Sequence, residues 1–311
     1  MILANSVDEL DLKNSWLTIG VFDGVHRGHQ KIIRRLVAGA HAARLPAVVL
    51  TFWPHPATVL GDGEVKCLTT SSERADLLEA LGVDVVITQR FDRALANTSA
   101  LDFVTRLKRH LGFDHLLIGY DFALGRGRQG NAARLTEMGA ELGHEVEIIP
   151  ALGDESGVIS STEIRKLVAT GDVADAAALL GHPYSLHGPV VHGDGRGRKL
   201  GFPTANIDYP PEKILPAHGV YACRVWIDRT AYPAATNVGI RPQFYGSANR
   251  PLAEAYILDF DRDIYEEDIR LEFVARLRDE QKFPSVDALI EHMHQDVDRT
   301  RQLLAPDLRV Q

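Results

Sequence analysis

The feature that most constrains this chain is a change of texture near Gly181. Before it, apolar runs alternate with amphipathic helical patterns; after it, short β-like runs rich in Pro and Gly take over. The runs at 16–22 (WLTIGVF), 47–52 (AVVLTF), 83–88 (VDVVIT), 115–119 (HLLIG) and 145–150 (EVEIIP) are nearly continuous, as in strands covered on both faces. Helical patterns lie at about 29–44, 71–82, 99–111, 131–142, 161–170 and 173–180. Strand–helix alternation of this kind predicts an α/β domain with a parallel sheet. Beyond it, runs at 184–191, 219–227, 232–239, 253–260 and 269–277 predict an all-β domain, a small barrel. An amphipathic helix from Ser285 to Leu304 follows, with Ser285 as its N-cap.

Length agrees with this division. A single core rarely grows past ~250–300 residues, and the chain has 311. The predicted domains are 1–182 and 183–311. A hydrophobic fraction of 45% with 24% charged residues is that of a soluble globular protein. The net charge of −8 argues against a broad basic surface for nucleic acid. The longest apolar run, Ala47–Trp53, is far short of the ~20 residues that span a bilayer. The acidic start has no apolar signal core. With only Cys67 and Cys223, no disulfide framework is expected, and a reducing, cytoplasmic location is. No Cys/His spacing suggests zinc. Oligomeric state is left open.

Two constellations carry chemistry. Thr18–Gln30 (TIGVFDGVHRGHQ) follows the first strand and opens the first helix, where amides of a helix N-terminus face phosphate in open α/β sheets. Gly28 lets a phosphate approach the backbone, and His26 and His29 can donate hydrogen bonds to it. Ile159–Arg165 (ISSTEIR) contains a capping box, Ser160 with Glu163, and adds Arg165, which a cap does not require and which suits a triphosphate. Gly125–Gly130 also satisfies G-x-G-x-x-G. A dinucleotide fingerprint begins directly at the strand end, whereas here the strand ends near Gly119 and five residues intervene, so that reading is set aside.

The second constellation is His192–Ile207 (HGDGRGRKLGFPTANI). A glycine-rich loop with Arg196, Arg198 and Lys199 can wrap a polyphosphate through amides and cations. Thr204 and Asn206 flank Ala205, so both fall on one side of an extended chain and offer hard oxygen donors to Mg²⁺.

Read whole, these strings resemble a known family. G-x-F-D-G-V-H-x-G-H (Gly20–His29), TFWPHP (Thr51–Pro56), GYDFALGRGRQG (Gly119–Gly130) and ISSTEIR resemble the FAD synthetase module of prokaryotic bifunctional riboflavin kinase/FAD synthetases, within the H-x-G-H nucleotidyltransferases. GRGRKLGFPTAN resembles the phosphate and metal site of their riboflavin kinase module. LPAHGVYA (Leu215–Ala222), NVGIRPQF (Asn237–Phe244), EAYILDFDRDIY (Glu254–Tyr265) and LRDEQKF (Leu277–Phe283) match further motifs in the same order, over roughly 15–305.

The resemblance implies a Rossmann-like N-terminal domain and a C-terminal six-stranded barrel with a helix. It implies phosphorylation of riboflavin to FMN by ATP, then transfer of AMP from a second ATP to FMN with release of pyrophosphate. Glu254 takes the place of the kinase base, Thr204 and Asn206 of the metal ligands, and Gly195, Arg198, Lys199, Gly201 and Pro203 of the phosphate loop. In the first domain, His26, His29 and Arg165 take the catalytic places. Gly20, Phe22, Asp23, Gly28, Ser160, Ser161 and Thr162 line the nucleotide, and His55, Asp121 and Phe122 the flavin. Partners are riboflavin, FMN and ATP with Mg²⁺. Trp53, Leu124 and Gln243 depart from the pattern and bear on affinity; Leu124, standing for an aromatic, implies weaker flavin stacking. Two rivals remain: an NAD-dependent oxidoreductase and a flavin-binding protein without catalysis.

Overall fold

The computed structural model describes residues 1–61, 63–154, 157–193, 195–240 and 251–304; the side chains of Asp154, Arg196, Lys199 and Ile240 also lie outside that description. So do Gln243 and the 241–244 part of NVGIRPQF. The chain divides into two compact units, Met1–Ser161 and Thr162–Gln311.

In the first unit, six strands form one sheet: β1 (Ile2–Ala4), β2 (Ser15–Ile19), β3 (Ala47–Trp53), β4 (Val85–Arg90), β5 (Phe113–Gly119) and β6 (Glu145–Ile149). Their order is β1-β4-β3-β2-β5-β6 and every pair is parallel. The longer helices are α1 (Arg27–Ala42), α2 (Ser71–Ala80), α3 (Ala100–Leu111) and α4 (Ala132–Leu142). Side chains alternate across a strand, which explains the unbroken apolar runs. Leu17, Ile19, Val48, Leu50, Leu116 and Ile118 join one core with Phe103, Val104 and Leu107 of α3 and Leu135 of α4. Trp16, Val49, Val86 and Leu117 join another with Ile33, Leu36 and Ala40 of α1 and Leu78 of α2. The expected α/β parallel fold is therefore present, with β1 added. That strand has only three residues and pairs with β4, through Ile2↔Val85, across a long stretch of chain.

The second unit contains α5 (Ser161–Thr170, whose first residue belongs to the first unit), α6 (Val173–Leu180) and a closed barrel. Its strands are β7 (Tyr184–Val191), β8 (Ala205–Ile207), β9 (Gly219–Ile227), β10 (Thr230–Ile240), β11 (Pro251–Ile257) and β12 (Asp268–Arg278). They close in the order β7-β8-β11-β10-β9-β12, all antiparallel. The C-terminal helix α7 (Val286–Leu304) is capped as expected, with Ser285 Oγ accepting the Ala288 N–H at 3.2 Å. Arg278 on β12 reaches Asp296 on α7 with Nε to Oδ1 at 3.0 Å and Nη2 to Oδ2 at 2.8 Å. This forked bond fixes the helix against the barrel.

One glycine sets the fit of α1 to the sheet. A Cβ on Gly39 would lie 2.0 Å from the Trp16 ring, which itself stacks on His115 at 3.9 Å. Gly39→Ala should therefore destabilise the first unit by about 1–3 kcal/mol, the range for overpacking a core, despite alanine's better helix propensity. Equilibrium denaturation measures it; an unchanged or higher midpoint would show that the indole moves aside freely.

Candidate active sites

The sheet order reverses between β2 and β5, so the end of β2 lies at a topological switch point, the usual ligand position in open α/β sheets. After Ile19 the backbone turns sharply, with Phe22 at φ 51°, Gly24 at 79° and Val25 at 40°. Non-glycine residues in the left-handed region cost of order 1–3 kcal/mol each and persist only where the surroundings hold them. The surroundings do so here. Asp23, 1% exposed, accepts the N–H groups of Leu68 and Thr69, each at 3.0 Å, and the Thr69 hydroxyl at 3.3 Å. Gly24 N–H donates to Thr69 Oγ1 at 3.0 Å, Thr51 Oγ1 donates to the Val21 carbonyl at 2.8 Å, and Ser161 Oγ donates to the Asp23 carbonyl at 2.9 Å. Asp23 and Ser161 thus both bear on the shape of the turn. The Phe22 ring covers Gly20, where a Cβ would lie 2.8 Å from it.

The turn delivers the two histidines together. His26 caps α1, its Nδ1 accepting the His29 N–H at 3.4 Å, which places a neutral ring's proton on Nε2. The rings stack with centroids 3.6 Å apart, and the Phe22 edge meets His29 at 5.2 Å. A Cβ on Gly28 would lie 3.1 Å from the His26 ring, so glycine keeps that approach open. Burial pushes His26 down to about 4 against the opposing pull of Asp23, and it pushes His29 well below the ordinary histidine value, helped by His26 and Arg74. Both rings are neutral at pH 7 and offer N–H donors rather than fixed charge.

The flavin-side residues predicted for this unit lie on segments that follow its strands. His55 caps the single-turn helix Pro56–Leu60, its Nδ1 accepting the Ala57 N–H at 3.1 Å. Asp121 is exposed and Phe122 half-buried in the loop after β5, where Arg128 donates to the Asp121 carbonyl at 2.9 Å. Leu124 is 8% exposed and belongs to the sheet core. Two of the three glycines that imitate a dinucleotide fingerprint have a packing reason: a Cβ on Gly125 or Gly130 would lie 2.6 or 2.9 Å from Ala100. Ser160 precedes α5, while Thr162 and Arg165 stand on that helix and are counted with the second unit, Arg165 half-buried.

In the barrel, cross-strand register brings residues together that lie far apart in sequence. Asn206 on β8 pairs with Glu254 on β11, which pairs in turn with Asn237 on β10. Directly opposed residues share a face of the sheet, so these three form one polar row. A Cβ on Gly239 would lie 2.0 Å from a Glu280 carboxylate oxygen and 3.3 Å from the Asn237 amide, so Glu280 stands beside the row. The loop before β8 turns on Gly195 (φ 65°) and Gly201 (φ 87°), with Phe202 N–H closing onto the Gly197 carbonyl at 2.9 Å. A Cβ on Gly197 would lie 3.5 Å from Thr204 Oγ1, so that hydroxyl faces the loop. Arg198 and Pro203 are exposed. Among the described residues no group of three or more His, Cys, Asp or Glu is arranged to hold a metal. A hydroxyl, an amide and one carboxylate suit a Mg²⁺ bound mainly through substrate phosphates. Asn237 and Glu280 appear in the sequence strings without a role; strand register reveals Asn237, and the close approach at Gly239 reveals Glu280.

A parallel sheet with a phosphate-type turn at its switch point, and in the same chain a barrel with a loop and carboxylate–amide row, define a two-domain nucleotide-dependent transferase. A family model described as FAD synthetase matches residues 8–163, and one described as riboflavin kinase matches 180–304. Curated relatives carry the name bifunctional riboflavin kinase/FMN adenylyltransferase. The protein from Listeria monocytogenes is 35% identical over 96% of each chain, that from Escherichia coli K12 36% over 90% of each, and that from Haemophilus influenzae 38% over 93% of this chain and 94% of its own. A crystal structure titled macrolide-efflux protein from Streptococcus pneumoniae superposes with TM-score 0.87 at 33% identity, covering 96% of this chain and 98% of that one. The chain belongs to the bifunctional riboflavin kinase/FMN adenylyltransferase family. No described helix is long and apolar enough to cross a membrane.

The depressed histidines give stability a pH dependence. Unfolded imidazoles take up protons near 6.5, whereas His26, and also His144 buried against Phe113, resist until about 4. The unfolded state therefore binds more protons in this window, and stability should fall as pH drops from 6.5 toward 4. His26→Asn keeps a capping acceptor and should lose less. Thermal melts at pH 7 and 5 check this; an equal drop in variant and parent would exclude His26 as a contributor.

Proposed function

We propose that residues 183–311 phosphorylate riboflavin and residues 1–182 adenylylate the FMN produced, with ATP as donor in both. The observation that carries the reading is the register row Asn206–Glu254–Asn237. In the kinase step an alcohol must lose a proton as it attacks, and a base within reach favours this. Glu254 takes the proton of the riboflavin 5′-hydroxyl. Gly195, Arg198, Lys199, Gly201 and Pro203 wrap the phosphates of ATP. Thr204 and Asn206 would hold Mg²⁺, which supplies neutralisation of charge on the transferring phosphoryl.

Adenylyl transfer needs no base. The second pKa of a phosphate monoester is near ~6, so FMN already carries an anionic oxygen at pH 7. That oxygen attacks the α-phosphorus of ATP, and the bond to pyrophosphate breaks. The work left is to hold two anions in line and to stabilise charge on the oxygens. His26 and His29 donate neutral N–H groups from the turn, aided by the start of α1. Arg165, with Ser160, Ser161 and Thr162, meets the triphosphate, and His55, Asp121 and Phe122 border the flavin. Only two cysteines, both buried, suit a cytoplasmic location, and the partners are small molecules rather than nucleic acid.

Glu254→Gln should lower FMN formation at least a hundredfold while leaving FAD formation from supplied FMN within twofold, as read by flavin chromatography. Near-normal phosphorylation would remove Glu254 as the base. His29→Ala should do the reverse, losing FAD formation at least tenfold; a normal kcat for that step would take His29 out of the site.

A further inference from the structure

Arg74 is a buried cation that the chemistry above leaves unused. It stands in the first turn of α2 with 1% of its surface exposed. Arginine is almost never buried so fully without a reason. Its Nη1 donates to Thr51 Oγ1 at 2.8 Å and to the Phe52 carbonyl at 3.3 Å, and its Nη2 donates to the Thr69 carbonyl at 3.4 Å. Nε has no hydrogen-bond partner among the described residues. The guanidinium is thus held by a hydroxyl and two carbonyls.

Two of these partners are the anchors of the strained turn. Thr51 receives one bond from Arg74 and passes its own proton to the Val21 carbonyl at 2.8 Å, one residue before the left-handed Phe22. Thr69 gives its carbonyl to Arg74, its N–H and hydroxyl to Asp23, and accepts from Gly24. One rigid fork therefore ties the end of β3 and the segment before α2 to the backbone that presents His26 and His29.

We propose that Arg74 is a positioning residue for adenylyl transfer: its guanidinium clamps Thr51 and Thr69 and thereby holds the His26/His29 turn in its phosphate-binding shape. The inference rests on the reading of that turn as the adenylyl-transfer site. Planar, multi-bond geometry is what arginine supplies and lysine does not, and the Thr51 bond requires a hydroxyl. Burial works against the guanidinium's charge, with Asp23 and Glu73 opposing it through space, and the same charge acts on His29.

The test uses the full chain, assaying FAD formation from FMN and riboflavin phosphorylation on the same preparation. Arg74→Met should lower kcat for FAD formation at least tenfold with the KM for ATP changed less than threefold and riboflavin phosphorylation within twofold. Arg74→Lys should recover part of the loss. Thr51→Val should lower kcat about fivefold, and Thr51→Val combined with Arg74→Met should be no worse than Arg74→Met alone, because residues acting through one chain of bonds are not additive. Normal kcat in Arg74→Met, or additive losses, would overturn the clamp. If Arg74→Met abolishes the thermal transition of the first unit, Thr51→Val decides: reduced kcat with an intact transition supports the clamp, and normal kcat overturns it. His29→Ala separates the two levels. FAD formation surviving in that variant sinks the site itself, whereas an inactive His29→Ala beside an active Arg74→Met sinks the clamp alone.

Discussion

The first unit's site depends on one buried carboxylate. Asp23 has almost no contact with water, and its oxygens accept the amides of Leu68 and Thr69. A carboxylate can be buried when several donors replace its water. These bonds offset the cost of left-handed Phe22 and Val25, which regular strand and helix geometry would forbid at that point. Without that kink the chain would pass smoothly from β2 into α1 and the two imidazoles would not stack at its start. The aspartate, three residues before the H-x-G-H string, shapes the backbone that leads into it.

The second unit reaches a comparable end by a different route. A closed barrel fixes each strand against two neighbours, so register alone decides which side chains meet. Asn206, Glu254 and Asn237 are opposed because β8, β11 and β10 are adjacent, and Thr204 faces the glycine loop because the chain enters β8 there. The α/β unit builds its site on a strained turn and the barrel builds its own on regular structure.

Much of this was legible in the sequence, and the limits have physical causes. The continuous runs around Leu17, Val48, Val86 and Leu117 announce strands covered on both faces, and helices α5 and α6 begin and end where periodicity places them. The run 16–22 overshoots β2 because Gly20–Phe22, though apolar, leave the strand for the turn. Asp23 reads in sequence as a substrate contact, since a carboxylate beside a phosphate motif looks the same whether it faces in or out. Arg74 falls inside the helical pattern 71–82 and Thr69 just before it; their importance lies in long-range bonds that no local pattern encodes. Asn237 and Glu280 were visible as letters, but placing the first needs strand register and placing the second needs the packing around Gly239. Leu124 departs from an aromatic pattern, and its burial in the sheet core shows a packing role alongside any effect on flavin.

The closure of the barrel has a consequence for synthesis of the chain. β7 must pair with β12, through Tyr184↔Phe273, before the cylinder exists, so its first strand waits for its last. The sheet of the first unit needs nothing beyond β6 at Ile149. On a ribosome that unit can be complete while the barrel strands are still emerging, and domains generally fold as they appear. The slow, non-local pairing then falls at the end of translation. A truncated product lacking β12 would carry an open barrel with two unpaired edges, the kind of surface that recruits other strands.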